Sequence, residues 1–120
     1  STFGGNPLAM AAAAAVLEVL IEDGFMQDVR KRAAYLDSAL KNLQSAFPAA
    51  ISEIRGRGFL RGICLAKGVD LMAFVSALRG EHVLCVPAAE NTLRLLPPLI
   101  ISCEEIDILM AALYRQLRTA

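Results

Sequence analysis

One apolar stretch near the beginning of the chain limits its possible folds more than any other feature. Residues 8–21 read LAMAAAAAVLEVLI, in which Glu18 is the one charged side chain. Fourteen residues span about 21 Å as a helix, which is short of the roughly 30 Å hydrocarbon core of a bilayer. The stretch also lacks the basic region that precedes the core of a signal peptide. We therefore predict a helix that is apolar on nearly all sides and is buried between layers of protein.

A helix of this kind needs other protein around it, and 120 residues offer little. A chain of that length forms one domain with a single core. The chain also begins at Ser1, without an initiator methionine, and its first residues look like the middle of a sequence motif. We therefore expect the chain to be a fragment of a longer protein.

The composition favours helices and does not indicate a charged partner. Hydrophobic residues make up 56% of the chain and aromatic residues only 6%, because Ala and Leu supply most of the excess. Twelve basic residues balance twelve acidic ones, so no overall field attracts a nucleic acid or an anionic membrane surface. We expect neither kind of partner. Local clusters such as 30–32 and the group Arg55, Arg57 and Arg61 are interpreted as solvated surface.

The cysteines and the single histidine do not form a recognisable site. Cys64, Cys85 and Cys103 are odd in number and widely spaced, which argues against a disulfide framework and against a zinc site. This usage favours a reducing, cytoplasmic setting. His82 has no second histidine or clustered thiol near it in sequence, so we interpret it as structural.

Caps and apolar periodicity predict four helices. Asn6 and Pro7 form a helix start, and SCEE at 102–105 has the spacing of a capping box. The predicted helices run from Pro7 to about Asp23, from Phe25 to the residue before Pro48, from about Asp70 to Gly80, and from 103 through Leu117.

Four short strands are predicted between these helices. The segment 51–66 favours two strands around a Gly56–Gly58 turn, and the apolar runs 83–86 and 92–96 favour two more, joined by a loop. The resulting order predicts an α/β fold, with helices packed on a small sheet that is mainly antiparallel or mixed. Such an architecture hosts many functions.

The first nine residues, STFGGNPLA, are a candidate anion site. Hydroxyl groups at Ser1 and Thr2 and two glycines lead directly into a helix N-terminus, where unpaired backbone amides favour an anion. A capped, buried helix after a glycine turn would have the same sequence, and that alternative stays open.

Arg94 is a candidate carboxylate-binding residue. It lies in the segment NTLRLLPPL at 91–99, as a single guanidinium in an apolar strand just before two prolines. Such a charge pairs with a carboxylate inside the protein or is kept for a ligand carboxylate, which its planar fork binds with two hydrogen bonds. An arginine on the surface of an edge strand is the open alternative.

Three motifs together resemble one family. STFGGNPLA at 1–9, IRGRGFLRGI at 54–63 and RLLPPLI at 94–100 occur in the same order and at similar spacing in the class III aminotransferases of the ornithine and acetylornithine type. The EDGF segment at 22–25 is similar as well. The whole chain resembles the C-terminal third of these enzymes.

The resemblance implies a homodimeric, cytoplasmic enzyme of fold type I that uses pyridoxal phosphate. It implies transfer of an amino group from N-acetylornithine, or from a related donor such as succinylornithine or ornithine, to 2-oxoglutarate in arginine biosynthesis. It also implies that Thr2, with Ser1 beside it, contacts the cofactor phosphate of the other subunit, and that Arg94 binds a substrate or keto-acid carboxylate. No catalytic residue is assigned, because none of Lys31, Lys41 and Lys67 occupies the family's position for the Schiff-base lysine.

The resemblance also implies a division of the chain. Residues 1–24 correspond to an interdomain helix with a phosphate-binding motif, and residues 25–120 to the C-terminal small α/β domain. We expect the chain to be inactive without the lysine-bearing large domain and the second subunit. The alternative is a non-catalytic, free-standing α/β domain that binds a ligand or dimerises.

Overall fold

The computed structural model describes residues 2–119, which form four helices and four strands. In chain order the elements are α1 (Pro7–Ile21), α2 (Phe25–Ala46), β1 (Ile51–Arg57), β2 (Leu60–Leu65), α3 (Leu71–Gly80), β3 (Val86–Ala88), β4 (Thr92–Leu95) and α4 (Cys103–Leu117). The predicted α/β class and the order of the elements are confirmed.

The strands form one antiparallel sheet in the order β1-β2-β4-β3. The last strand in sequence, β4, therefore lies inside the sheet, with β2 on one side and β3 on the other. Gly62 of β2 and Val86 of β3 are the residues opposite Arg94. This register matters for the site, because residues directly opposite each other in a ladder present their side chains on the same face.

The third strand begins later than the sequence predicts. The apolar run 83–86 was expected to be the strand, but β3 covers Val86–Ala88. The residues between α3 and β3 instead terminate α3. His82 has a positive φ of 62°, and the amide of Val83 donates to the carbonyl oxygen of Leu78 at 3.0 Å. Pro87 is tolerated within β3 because this strand is at the edge of the sheet.

One face of the sheet carries the hydrophobic core. Helices α2 and α3 contact the strands, and α4 packs against both helices. Side chains alternate along β4, with Leu93 and Leu95 buried and Arg94 exposed between them. The fully buried large side chains of the core are Leu36, Leu40, Leu43, Ile51, Ile63, Leu78, Leu93, Ile106 and Leu113.

Helix α1 is not surrounded by the other elements of this chain. It begins as expected, with Asn6 Oδ1 accepting from the amide of Ala9 at 2.9 Å, but it has no buried residue. Leu8 and Ile21, near its two ends, are 81% and 78% exposed. Residues 2–119 do not supply the layers of protein that are predicted to bury this helix, because they pack α1 against α2 and the other elements on one another.

The shape of the molecule agrees with a projecting helix. The radius of gyration is 16.9 Å, whereas a compact domain of this length has a value of about 13.6 Å. Among residues 2–119, no helix combines the length and the hydropathy that a membrane crossing requires.

The turn between β1 and β2 depends on a glycine at one particular position. Gly56 has a φ of +97°, and a Cβ atom there would collide with the carbonyl oxygen of Leu60. Gly58 also has a positive φ, of +60°, but a Cβ atom there would have open space around it. The two positions separate the effect of backbone conformation from the effect of a collision.

We predict that Gly56→Ala destabilises the fold much more than Gly58→Ala. The change at Gly58 imposes only the left-handed conformation on a residue with a side chain and costs about 1–2 kcal/mol. The change at Gly56 adds a backbone collision and is expected to cost more than about 3 kcal/mol. Urea denaturation of both variants measures the difference, and equal losses would show that the turn relaxes freely.

Candidate functional site

The face of the sheet opposite the core carries a row of two arginines with a glycine between them. The register places Arg55 of β1 opposite Gly62 of β2, and Gly62 opposite Arg94 of β4. Both arginines line a cavity of about 170 Å³. Its complete lining is Arg55, Gly56, Leu60, Arg61, Gly62, Ala88, Thr92 and Arg94.

Arg94 is exposed and has no partner among the described residues. It makes no salt bridge and no side-chain hydrogen bond with any residue of 2–119. The alternative of an edge-strand arginine is wrong, since β4 lies between two other strands. A guanidinium that is held on an interior strand and left without a carboxylate can bind the carboxylate of a ligand with two hydrogen bonds.

Gly62 keeps the space between the two arginines open. A Cβ atom at this position would lie 2.9 Å from Cγ2 of Thr92 and 3.8 Å from Cβ of Arg55. A side chain there would therefore fill the floor of the cavity and displace its neighbours. The need for glycine at this point could not be predicted from the sequence, because it depends on which residues of β1 and β4 lie opposite it.

Asn91 holds the turn that leads into β4. Its Nδ2 donates to the carbonyl oxygens of Ala66 at 2.9 Å, Val69 at 3.0 Å and Leu65 at 3.4 Å. The amide of Leu65 in turn donates to the carbonyl oxygen of Asn91 at 2.9 Å. Glu90 and Asn91 both have positive φ, of 58° and 52°, a conformation that asparagine tolerates better than most residues.

Asn91 therefore fixes the start of the strand that carries Arg94. Sequence reasoning treated this residue only as part of a loop. The one signal available was an asparagine directly before an apolar strand, a residue type that is common in left-handed turns.

Arg61 is buried, which corrects the interpretation of its cluster as solvated surface. The side chain is 6% exposed and its guanidinium pairs with Asp37 of α2. Its Nη1 also donates to the carbonyl oxygen of Gly56 at 2.6 Å. Burial lowers the pKa of Arg61 from its ordinary value. Arg61 lies two residues before the buried Ile63 in β2, so both side chains are on the core face of the sheet. The ion pair of Arg61 with Asp37 therefore connects the sheet to α2.

The candidate anion site lies outside the hydrophobic core, in the turn that precedes α1. Thr2 is exposed in a turn before α1, and Ser1 lies outside the described residues. Asn6 organises the turn, because its Nδ2 donates to the carbonyl oxygen of Phe3 at 2.8 Å while its Oδ1 caps the helix. The cavity that Arg94 lines contains no residue of 1–24. Thr2 therefore lies outside the cavity that Arg94 lines.

A larger apolar cavity lies beside the prolines that follow β4. It has a volume of about 300 Å³ and is lined by residues that include His82, Cys85, Leu96, Pro97 and Pro98. Burial raises the pKa of the Cys85 thiol to about 11, so this thiol stays protonated and is a poor nucleophile at neutral pH. All three cysteines are free.

The lysines lie on the surface of the molecule. Lys31 pairs with Asp28 at 3.0 Å and Lys41 with Asp37 at 2.7 Å, both within α2. Lys67 is exposed between β2 and α3. The structure brings none of them into the cavity of Arg94.

The chain matches the family Aminotransferase class-III over residues 1–117. It is 47% identical to the acetylornithine aminotransferase of Brucella melitensis over 106 residues, which are 88% of this chain and 26% of that protein. It is 43% identical to the acetylornithine aminotransferase of Thermosynechococcus vestitus over 119 residues, which are 98% of this chain and 29% of that protein. The chain therefore spans about a quarter of the length of these relatives.

Solved structures agree with the sequence comparison. Lysine aminotransferase from M. tuberculosis in the internal aldimine form superposes with a TM-score of 0.91 at 34% identity, over 99% of this chain and 27% of that chain. N-acetylornithine aminotransferase from Stenotrophomonas maltophilia superposes with a TM-score of 0.84 at 29% identity, over 97% of this chain and 32% of that chain.

We predict that Asn91→Gly destabilises the fold although glycine accepts the positive φ. The change removes the amide group that donates hydrogen bonds to three carbonyl oxygens, and it is expected to lower the free energy of unfolding by about 1–3 kcal/mol. The matched control is Glu90→Gly in the same turn, where relief of the positive φ offsets the loss of the half-exposed ion pair with Arg55, so we expect no loss of stability. Denaturant unfolding of both variants provides the measurement. Equal stability of the two would show that the hydrogen bonds of Asn91 do not hold the turn.

Proposed function

Because the chain belongs to the class III aminotransferases, we propose that it is the C-terminal segment of an enzyme that transfers the amino group of N-acetylornithine, or of a related ω-amino donor, to 2-oxoglutarate. The proposed pathway is arginine biosynthesis in the cytoplasm. The observation that carries the proposal is Arg94, an exposed guanidinium on an interior strand with no partner in residues 2–119. Every amino donor and keto acid of such a reaction carries a carboxylate.

We assign two parts to the segment within the complete enzyme. Residues 1–24 form an interdomain helix with the phosphate-binding motif, and residues 25–120 form the C-terminal small domain. The exposed apolar surface of α1 supports this division, because α1 contributes no buried residue whereas all other helices do. The proposed partners of that surface are the large domain and the second subunit of a homodimer.

The cofactor of class III aminotransferases is pyridoxal phosphate, and the first residues of this chain fit its phosphate group. The hydroxyl of Thr2 is exposed and is followed by glycines that precede a helix N-terminus, where the backbone dipole favours an anion. We assign Thr2, with Ser1 beside it, to the phosphate of the cofactor in the partner subunit. When bound, the cofactor supplies the electron sink that amino-group transfer requires.

We assign to Arg94 the role of binding the carboxylate of a substrate in a fixed orientation. Its backbone is fixed by ladders on both sides, so the guanidinium starts from a defined position. A planar fork with two parallel hydrogen bonds then orients the carboxylate, which a lysine ammonium cannot do in the same way. The Schiff-base lysine and the residues that contact the rest of the substrate are assigned to the large domain.

We predict that Arg94→Lys in the full-length enzyme damages the half-reaction with 2-oxoglutarate more than the half-reaction with the amino donor. The variant keeps the charge and loses the fork, so the expected loss in kcat/KM for the keto acid is about ten- to a hundredfold. Stopped-flow measurement of each half-reaction provides the test.

The matched control for this experiment is Arg79→Lys, an exposed arginine at the end of α3 outside the cavity. It is expected to leave both half-reactions unchanged. Equal losses in the two half-reactions of Arg94→Lys, or a large fall in Tm with normal kinetics, would make Arg94 a structural residue.

We predict that Thr2→Ala weakens retention of pyridoxal phosphate, because a hydrogen bond from a hydroxyl to a charged group contributes about 1.5–3 kcal/mol. Thr2→Ser keeps the hydroxyl and serves as the matched control. Hybrid dimers that combine Thr2→Ala with a subunit lacking the Schiff-base lysine locate the effect. Equal cofactor retention in both arrangements of the hybrid would contradict a contact across the dimer.

A further inference from the structure

Two basic clusters that are far apart in the sequence meet at one cavity. Arg30 comes from the first cluster, on α2, whereas Arg57 and Arg61 come from the second, on the two sides of the turn between β1 and β2. The cavity has a volume of about 390 Å³. Its lining contains neither Thr2 nor Arg94, so it is distinct from the sites assigned to the cofactor phosphate and to the substrate carboxylate.

Small residues keep this space open. Ala33 and Ala34 lie between Arg30 and Asp37 on one face of α2, at helical spacings of three and four residues, and both line the cavity. Gly58 lies on the opposite wall, and a Cβ atom there would have no neighbour within 4 Å. The volume falls in the range of about 300–1,000 Å³ that is typical of sites for small ligands.

The positive charge around the cavity is only partly compensated within residues 2–119. Arg30 and Arg57 are exposed, and neither makes a salt bridge in this part of the chain. Asp37 is the one carboxylate of the cavity lining, and it is shared between Arg61 and Lys41. Two of the three guanidinium groups are thus left without a carboxylate.

Arg61 gives a second and independent indication of a ligand. Its side chain is only 6% exposed, yet it forms part of the cavity wall. Its Nε is buried and has no hydrogen-bond acceptor within residues 2–119. A buried donor without an acceptor is costly. An anion in the cavity would offset this cost by attraction, because the charge of a guanidinium is delocalised over its three nitrogen atoms.

We propose that this cavity binds a phosphate group, either as inorganic phosphate or as part of a small phosphorylated molecule. A phosphate group has a charge close to −2 at neutral pH and three terminal oxygens, so Arg30 and Arg57 can bind it from different sides while Arg61 lies behind it. A carboxylate has one charge and two oxygens in one plane, which a single arginine fork satisfies. The inference does not depend on the roles assigned to Thr2 and Arg94.

The experiment uses the full-length enzyme with pyridoxal phosphate bound, so that the phosphate site of the cofactor is already filled. Isothermal titration calorimetry at constant ionic strength measures the Kd of inorganic phosphate, of ribose 5-phosphate and of ribose. Both phosphates are expected to bind, whereas ribose is not. A lower Kd for ribose 5-phosphate would assign the cavity to a phosphorylated molecule, and equal Kd values would assign it to inorganic phosphate.

Arg30→Gln and Arg57→Gln test the site without disturbing the core, because both side chains are exposed. Each variant loses a hydrogen bond to a charged group, so the Kd of inorganic phosphate is expected to rise about tenfold in each. Turnover at saturating substrates is expected to stay unchanged. The matched control is Arg79→Gln, an exposed arginine at the end of α3 outside this cavity, which is expected to leave the Kd unchanged.

Several results would overturn the inference. One is that neither phosphate binds to the enzyme, and another is that the Kd is the same in the wild type and in both variants. Binding of glutarate, a dicarboxylate, with the same Kd as phosphate would show that the cavity does not select phosphate. A fall in Tm of both variants without any binding of phosphate would show that the arginines pair with another part of the full-length protein, which would also overturn it.

Discussion

The position of β4 inside the sheet determines the rest of the candidate site. Leu93 and Leu95 point into the core and are 0% and 3% exposed, so the two-residue period of a strand forces Arg94 to the opposite face. A shift of the register by one residue would bury the guanidinium and expose both leucines. The hydrophobic core thus fixes the direction of a polar side chain with which it has no direct contact.

The residues around Arg94 act on this fixed strand in two ways. Asn91 defines where β4 begins, through hydrogen bonds to the carbonyl groups at the end of β2 and beyond it. Gly62 leaves the neighbouring position free of a side chain, so the face of the sheet forms a shallow cavity between Arg55 and Arg94. One residue sets the position of the strand and the other sets the space available to a ligand.

Sequence reasoning predicted the local parts of this fold and missed the parts that depend on pairing. Caps and periodicity gave the helices, since both are properties of neighbouring residues, and the Asn6 cap and the Ser102 capping box are present as expected. The start of β3, the burial of Arg61 and the row of Arg55, Gly62 and Arg94 depend on which strands lie side by side. Arg94 itself was singled out as a lone guanidinium in an apolar strand, and the resemblance of its motif added a role, whereas its lack of a partner in residues 2–119 required the structure.

The exposed apolar surface of helix α1 supports the proposal that the segment belongs to a larger assembly. Its alanine-rich sequence and its cap favour a helix without tertiary support, yet Leu8, Leu17 and Ile21 remain 81%, 58% and 78% exposed. Burying one such side chain contributes about 1.5–3 kcal/mol, and a contiguous apolar surface of this kind marks an interface. The family relatives are about four times as long as this chain, and the proposed large domain and second subunit would supply the surface that α1 lacks. In the proposed assembly Thr2 and Arg94 would contact different ligands, a cofactor phosphate and a substrate carboxylate, and Thr2 lies outside the cavity that Arg94 lines.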